Sequence, residues 1–393
     1  MGILGLSFAI NGCTEPAASG CNESRVIEFP ETPVTKIPSV TLLKTSGATA
    51  LVGLDGATVR WSLVTEDGKL GEAEAFTLPA NFAELSNANP PVKAGPWFAL
   101  TGVGGASNQL VAIFVAPKPG EPTVTQVMAI GQNKGGTLLS LRPIYETLAG
   151  TNPAQIRVAV GSSPSGTSAM VAIGFVDQPG TDIQLFSLGE NAQKGPVNAF
   201  SVDYQWDCPF WSRNGRSNAP LNFSLVKKGS PPQLVVRDVQ ESGSTTGAFV
   251  TLNADNLDKG TGCPIVVPKE GGLVFGWQMD SELRAGDYRY EGGPPDSYPV
   301  RNQANFLGKI PNLVGVGSFG SRTALLWLQP AGPEVGLFDQ QLRGFEVGKP
   351  LLLSNNGKFI GTPSSVSELG ATFVTYRNET GPRRLVTVKC EEK

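Results

Sequence analysis

The hydrophobic positions of this chain fall into short β-prone runs that recur along its length. Each run ends in a turn that carries glycine, the residue that adopts positive φ at least cost. Another strand-like segment follows each turn, a third precedes each run, and the gaps leave room for a fourth, such as residues 137–144 or 264–268. From position 57 to position 371 is 314 residues over six steps, or about 52 residues per repeat. The seven runs are residues 57–64, 109–116, 169–176, 233–239, 284–290, 323–328 and 371–377.

Four short antiparallel strands every fifty or so residues, without a helical period, are typical of the blades of a β-propeller. Some runs, such as residues 110–115, are apolar on both faces, as expected where neighbouring blades cover both sides of a sheet. We therefore predict an all-β fold, a seven-bladed β-propeller of four-stranded antiparallel blades that forms one domain over residues 24–393. Trp61 and Trp327 lie in equivalent runs and are predicted to have packing roles. The alternative fold is a pair of β-sandwich domains divided near residue 195.

The two ends of the chain predict how the ring closes. The last repeat supplies three strands, at residues 364–369, 371–377 and 383–390, while residues 24–29 form a lone strand near the start. If that strand completes the last blade, Cys21 lies close to Cys390. Four cysteines allow three pairings, and the repeat favours Cys21 with Cys390 and Cys208 with Cys263. The alternative is four free thiols in a reducing cytosol.

The amino-terminal segment indicates export. Residues 1–12 are uncharged and mostly apolar, and they end at a cysteine, Cys13. Residues 10–13 (Ile-Asn-Gly-Cys) resemble a bacterial lipoprotein signal, in which the lipidated cysteine becomes the mature amino terminus. The resemblance implies a signal segment over residues 1–12, a linker over 13–23, and membrane attachment through lipid on Cys13 only. We expect the protein in the bacterial cell envelope, anchored to the outer membrane; the alternative is an amino-terminal strand.

Composition excludes several classes of function. The chain has no histidine, so Ser-His-Asp and Cys-His catalysis and histidine-ligated metals are excluded. The net charge of −3 provides no basic field for nucleic acid. We therefore predict no catalytic residues, no metal, no cofactor and no nucleic-acid partner.

Two segments carry candidate ligand-binding residues. The step from the third run to the fourth is 64 residues, longer than the mean, and the surplus at residues 204–216 is predicted to form a binding loop between strands. Aromatic side chains and arginine are enriched at recognition hot spots. A second candidate segment, residues 287–291, mixes charge with two tyrosines. In the alternative interpretation, the aromatic residues of the first segment fill the centre of the propeller or cover an exposed sheet edge. The second segment would then be a solvent-exposed outer strand. The candidates are Trp206, Phe210, Trp211, Arg213, Arg216, Tyr288 and Tyr290.

These observations predict a non-enzymatic cell-envelope lipoprotein that binds an envelope protein or a glycan through one face of the propeller. One alternative is a secreted carbohydrate-active enzyme that works through carboxylates, since paired acids suffice for glycoside hydrolysis. The other is a scaffold in outer-membrane assembly, an analogy at the level of fold alone.

Overall fold

The structure, a computed structural model, forms four-stranded antiparallel sheets, so the prediction of an all-β propeller with four-stranded blades is confirmed. It describes residues 20–45, 47–89, 92–103, 107–176, 182–213, 221–252, 257, 262–278, 283–290, 296–300, 312–319, 322–329, 332–338, 351–353, 359–368 and 370–390.

Seven such sheets, here called blades 1 to 7 in chain order, are present in these residues. Blade 1 holds β2 (Val40–Lys44), β3 (Thr49–Asp55), β4 (Thr58–Val64) and β5 (Glu74–Thr77); blade 2 holds β6 (Trp97–Val103), β7 (Ser107–Lys118), β8 (Glu121–Asn133) and β9 (Arg142–Glu146). Blade 3 holds β10 (Ile156–Ser162), β11 (Ala169–Phe175), β12 (Asp182–Leu188) and β13 (Asn198–Ser201); blade 4 holds β14 (Trp206–Arg213), β15 (Leu221–Lys227), β16 (Gln233–Val239) and β17 (Thr245–Leu252). Blade 5 holds β18 (Ile265–Lys269), β19 (Gly272–Gln278), β20 (Leu283–Arg289) and β21 (Asp296–Val300); blade 6 holds β22 (Asn312–Phe319), β23 (Arg322–Gln329), β24 (Gly332–Phe338) and β25 (Leu351–Leu352). Blade 7 holds β26 (Phe359–Glu368), β27 (Ala371–Asn378), β28 (Arg383–Cys390) and, as its outer strand, β1 (Cys21–Phe29).

The blades are arranged radially around a central channel. Contacts join β2 to β6, β6 to β10, β10 to β14, β14 to β18, β18 to β22, β22 to β26, and β26 back to β2. These seven strands are the inner strands of their blades, and their contacts close a ring. The two-sandwich alternative is therefore wrong, because no boundary near residue 195 interrupts this ring.

The hydrophobic cores lie between neighbouring blades. In β11 the first six residues are all buried, as expected for a strand covered on both faces. Trp61 and Trp327 are completely buried, which confirms their predicted packing roles. Trp61 also donates from Nε1 to Oε1 of Gln132 at 2.8 Å, and this hydrogen bond joins blade 1 to blade 2. Its one polar atom is thus satisfied inside the core.

One short helix, α1 (Ala80–Ser86), lies in the connection between blades 1 and 2. The sequence pattern predicted no helix, since seven residues are too few to establish a helical period. Its buried residue Phe82 meets the Phe114 ring edge-on, with ring centroids 5.7 Å apart. The helix therefore packs against the hydrophobic core of blade 2.

The predicted runs fall one per blade, but not at the same position in each. They are second strands in blades 2, 3, 6 and 7 and third strands in blades 1, 4 and 5. The second strands β11 and β15 start at Ala169 and Leu221, which are 52 residues apart. The 64-residue step is therefore a change from a second to a third strand. The predicted loop is wrong at residues 206–213, which form the inner strand β14. Of residues 264–268, predicted as a fourth strand, residues 265–268 belong instead to the inner strand β18 (Ile265–Lys269).

The amino-terminal strand closes the ring. β1 pairs antiparallel with β28, with Cys21 opposite Cys390, and a disulfide joins these two residues. Cys208 and Cys263 form a second disulfide, so both preferred pairings are present. β1 begins at Cys21, three residues before the predicted propeller boundary at residue 24. The β1–β28 pairing therefore includes residues 21–23, with Cys21 directly opposite its disulfide partner Cys390.

Arg383 strengthens this closure from inside the protein. Its side chain is buried, and Nη2 donates to the carbonyl oxygens of Ile37 at 2.5 Å and Pro38 at 3.0 Å. Burial, and secondarily the charge of Arg377, lowers the pKa of Arg383 to about 10, so the side chain stays protonated at neutral pH. The last blade thereby holds the connection that leads from β1 into blade 1.

Candidate functional site

A cavity of about 300 Å³ occupies the central channel. Six of the seven inner strands line it, all except β6. Its wall is largely apolar, with the half-buried side chains of Leu43, Val160, Phe210, Ile265 and Val314 each contributed by a different blade. This volume lies at the lower end of the range for small-molecule sites.

Serine side chains on the inner strands tie neighbouring blades together. The hydroxyl of Ser162 accepts a hydrogen bond from the backbone N–H of Leu100 at 3.0 Å, and that of Ser365 donates to the carbonyl of Val314 at 3.2 Å. Ser367 likewise donates to the carbonyl of Val316. Strands of different blades share no ladder, so these side chains satisfy backbone groups at the blade contacts. The protons of Ser365 and Ser367 are thus already engaged, and a ligand meets mainly hydrocarbon.

One end of the cavity carries charge. Lys44, Arg213 and Glu368 are the last residues of the inner strands β2, β14 and β26. Arg213 reaches across the channel from blade 4: Nη1 lies 3.1 Å from Oε1 of Glu368, and Nη2 donates to the Lys44 carbonyl at 3.1 Å. Lys44 Nζ lies 3.7 Å from Oε2 of the same carboxylate and 4.8 Å from the centre of the Phe373 ring. We call these three residues the channel triad.

A neighbouring inner strand ends in a self-contained ion pair. Lys269, the last residue of β18, lies with Nζ 2.7 Å from Oδ2 of Asp287 in the same blade. Their side chains are only 5% and 14% exposed. The partner carboxylate neutralises Lys269, which therefore adds no net charge to this end of the channel.

A β-bulge sets the direction of the aromatic side chains in β14. The pairing with β15 shifts by one residue between Asp207 and Phe210, and Cys208 lies there with φ 57°. Residues five apart in a regular strand point to opposite faces, and one extra residue returns them to the same face. For this reason Trp206 and Trp211 both face blade 3. Trp206 lies against Gly174 and Trp211 against Gly161, so close that a Cβ at either glycine would clash with the tryptophan.

The structure separates the predicted aromatic residues into two groups. Trp206 is 1% exposed and packs in the core between blades 3 and 4, so it has no surface to offer a ligand. Trp211 donates from Nε1 to the carbonyl of Ala159 at 3.3 Å and lines the cavity, as does the half-buried Phe210. Arg213 lies at the charged end. Arg216 lies outside the described residues, as does Cys13.

Tyr288 and Tyr290 lie elsewhere in the molecule. They belong to the third strand of blade 5 and the turn that follows it, half-buried against the core, with ring centroids 5.8 Å apart. The inner ring contains neither residue. Lys44 and Glu368, which complete the channel triad, were missed from the sequence, since only their place at inner-strand ends marks them.

Two further features of the described residues bear on function. Among them, no three histidine, cysteine, aspartate or glutamate side chains lie close enough together to hold a metal ion. Within the same ranges, no helix is long and apolar enough to cross a membrane.

Solved structures resemble this one, although no protein-family model and no curated protein sequence matches the chain. The polysaccharide lyase Uly1 is 8% identical, with a TM-score of 0.54, and 94% of each chain is covered. A puromycin hydrolase is 13% identical, with a TM-score of 0.53, and the match covers 95% of this chain but 55% of the hydrolase. The propeller domain of the Trilobed protease from Pyrococcus furiosus is 8% identical, with a TM-score of 0.45 and coverage of 90% and 97%. The chain spans about half the length of the prolyl endopeptidase and the puromycin hydrolase it matches. At these identities the likeness shows the propeller fold alone.

Proposed function

We propose that this protein is an exported, non-enzymatic binding protein that holds part of a protein or glycan ligand in its central channel. The observation that carries the proposal is the cavity of about 300 Å³, with an apolar wall built by six blades and the channel triad at one end. Concave apolar sites with a few convergent polar groups are the usual form of ligand sites.

The carboxylate at the channel favours binding over acid–base chemistry. Glu368 contacts both Arg213 and Lys44, so two cations hold it. A glycosidase needs a pair of carboxylates, one of which acts as a proton donor. The runner-up, a carbohydrate-active enzyme, rests on its fold likeness to a polysaccharide lyase. Fold likeness does not imply shared chemistry.

We expect replacement of Phe210 with alanine to weaken binding of any ligand of the channel about tenfold, because a buried aromatic contact is lost. The measurement is a screen of defined oligosaccharides and short peptides by calorimetry, comparing wild type with the variant. The matched control is Phe98→Ala: Phe98 is a half-buried phenylalanine on the inner strand β6, which does not line the cavity. Equal losses in the two variants would contradict the channel assignment, and turnover of any oligosaccharide would favour the enzyme.

The cellular location is also part of the proposal. Residues 10–13 support a lipid anchor on Cys13, and two disulfides fit an oxidising compartment outside the cytosol. Intact mass spectrometry of unreduced protein from its native host envelope is expected to show a diacylglyceryl group on Cys13 as the first residue. A mature chain that retains Met1 would refute the anchor.

A further inference from the structure

The channel triad leaves an uncompensated positive charge at one end of the cavity. Arg213 and Lys44 share one carboxylate, that of Glu368, while Lys269 has its own partner in Asp287. The side chains of the triad are 20% to 27% exposed, so this charge is only partly screened by water. Within the triad, cations therefore exceed anions by one.

The triad also has room to recognise a second anion. A guanidinium has five N–H donors arranged as a fork that fits a carboxylate. Among the described residues, the Arg213 guanidinium makes two hydrogen bonds, to Glu368 and to the Lys44 carbonyl. Lys44 Nζ lies at 3.7 Å from Glu368, beyond normal hydrogen-bond distance, so its donors remain suited to a closer partner.

We infer that the channel binds a free peptide carboxyl terminus, with the carboxylate at Arg213 and Lys44 and the preceding apolar side chains against the cavity wall. This inference rests on the proposed function and names the ligand group that the channel recognises. An incoming carboxylate competes with Glu368 for the same two cations. Charge-assisted hydrogen bonds to a carboxylate are among the strongest in proteins.

The cavity wall favours a peptide over an acidic sugar. Leu43, Val160 and Ile265 are half-buried and present hydrocarbon to the cavity, and aliphatic side chains are buried there without loss of hydrogen bonds. The hydroxyls of a sugar need polar partners, but Ser365 and Ser367 already donate their protons to the backbone of a neighbouring blade.

The test compares two peptides that differ in one group. Acetyl-Ala-Leu-Val is titrated by calorimetry as the free acid and as the carboxyl-terminal amide, with trigalacturonate as the acidic sugar. We expect the acid to bind about tenfold more tightly than the amide, and the difference to shrink in high salt. Arg213→Gln is expected to reduce binding of the acid to the level of the amide, and Lys44→Met to weaken it independently.

The Glu368→Gln variant is expected to change the affinity for the peptide acid in the opposite direction. Removing the competing carboxylate is expected to tighten binding of the acid severalfold, whereas a merely structural triad would lose binding in this variant as well. The control is Arg157→Gln. Arg157 pairs with Asp207 at 2.7 Å between blades 3 and 4, and its side-chain exposure, 24%, matches the 25% of Arg213.

Each outcome distinguishes this inference from the proposed function. Equal binding of acid and amide, both sensitive to Phe210→Ala, would overturn the carboxylate assignment and leave the channel as a binding site. Tighter binding of trigalacturonate than of the peptide acid would overturn the choice of peptide. Absence of binding by all three probes would overturn the inference. Weaker binding of the acid in both Arg213→Gln and Glu368→Gln would also overturn it.

Discussion

Replacing both Cys21 and Cys390 with serine is expected to lower the free energy of unfolding by about 3–5 kcal/mol. This disulfide joins residues separated by 369 positions, so it removes more freedom from the unfolded chain than any short loop would. In the folded state it ties down β1, whose side chains are largely exposed between its two buried ends. Chemical denaturation of the unreduced wild type and the double variant measures the difference.

The second disulfide is the matched control for the first. Cys208 and Cys263 are 55 positions apart, and the entropy of loop closure rises only with the logarithm of loop length. The Cys208→Ser/Cys263→Ser variant is therefore expected to lose on the order of 1–2 kcal/mol less than the Cys21→Ser/Cys390→Ser variant. An equal or greater loss would show that closure of the ring by β1 does not depend on its covalent link.

Trp206→Ala is expected to lower the free energy of unfolding by about 3–5 kcal/mol, because it leaves a cavity in the core between blades 3 and 4. Trp206 is 1% exposed and lies against Gly174, where even a Cβ would come within 2.5 Å of its ring. Denaturant titration of the variant measures the loss.

Phe210→Ala is the control from the same strand. Phe210 is half-buried and lines the channel, so the expected loss of stability is smaller, about 1–2 kcal/mol. A Trp206→Ala protein of nearly wild-type stability that has lost ligand binding would contradict the packing role and restore the binding-loop interpretation of residues 204–216.

The propeller could be predicted because its organising contacts are local in sequence. Apart from the outer strand β1 of blade 7, each blade is a meander of consecutive strands, and the glycine turns and β-prone runs mark it directly. Closure by β1 followed from one missing strand and from Cys21 and Cys390 at opposite ends of the chain. The position of each run within its blade could not be predicted, since second and third strands are alike apolar on both faces.

The candidate site was only partly predictable. Phe210, Trp211 and Arg213 were identified from their residue types, but the sequence placed them in a loop and grouped Trp206 with them. A one-residue bulge at Cys208 breaks the alternation on which such patterns depend. Glu368 is 155 positions from Arg213, and ring closure alone brings the two together, so no local signal marks the pair.

The most direct test of the central claim, that the ligand site is the channel, is a crystal structure of the protein soaked with the free acid of acetyl-Ala-Leu-Val. We expect the peptide inside the ring of inner strands, with its carboxylate within hydrogen-bond distance of Arg213 and its side chains against Leu43 and Phe210. A peptide bound on the outer rim of the blades, with an empty channel, would contradict the account.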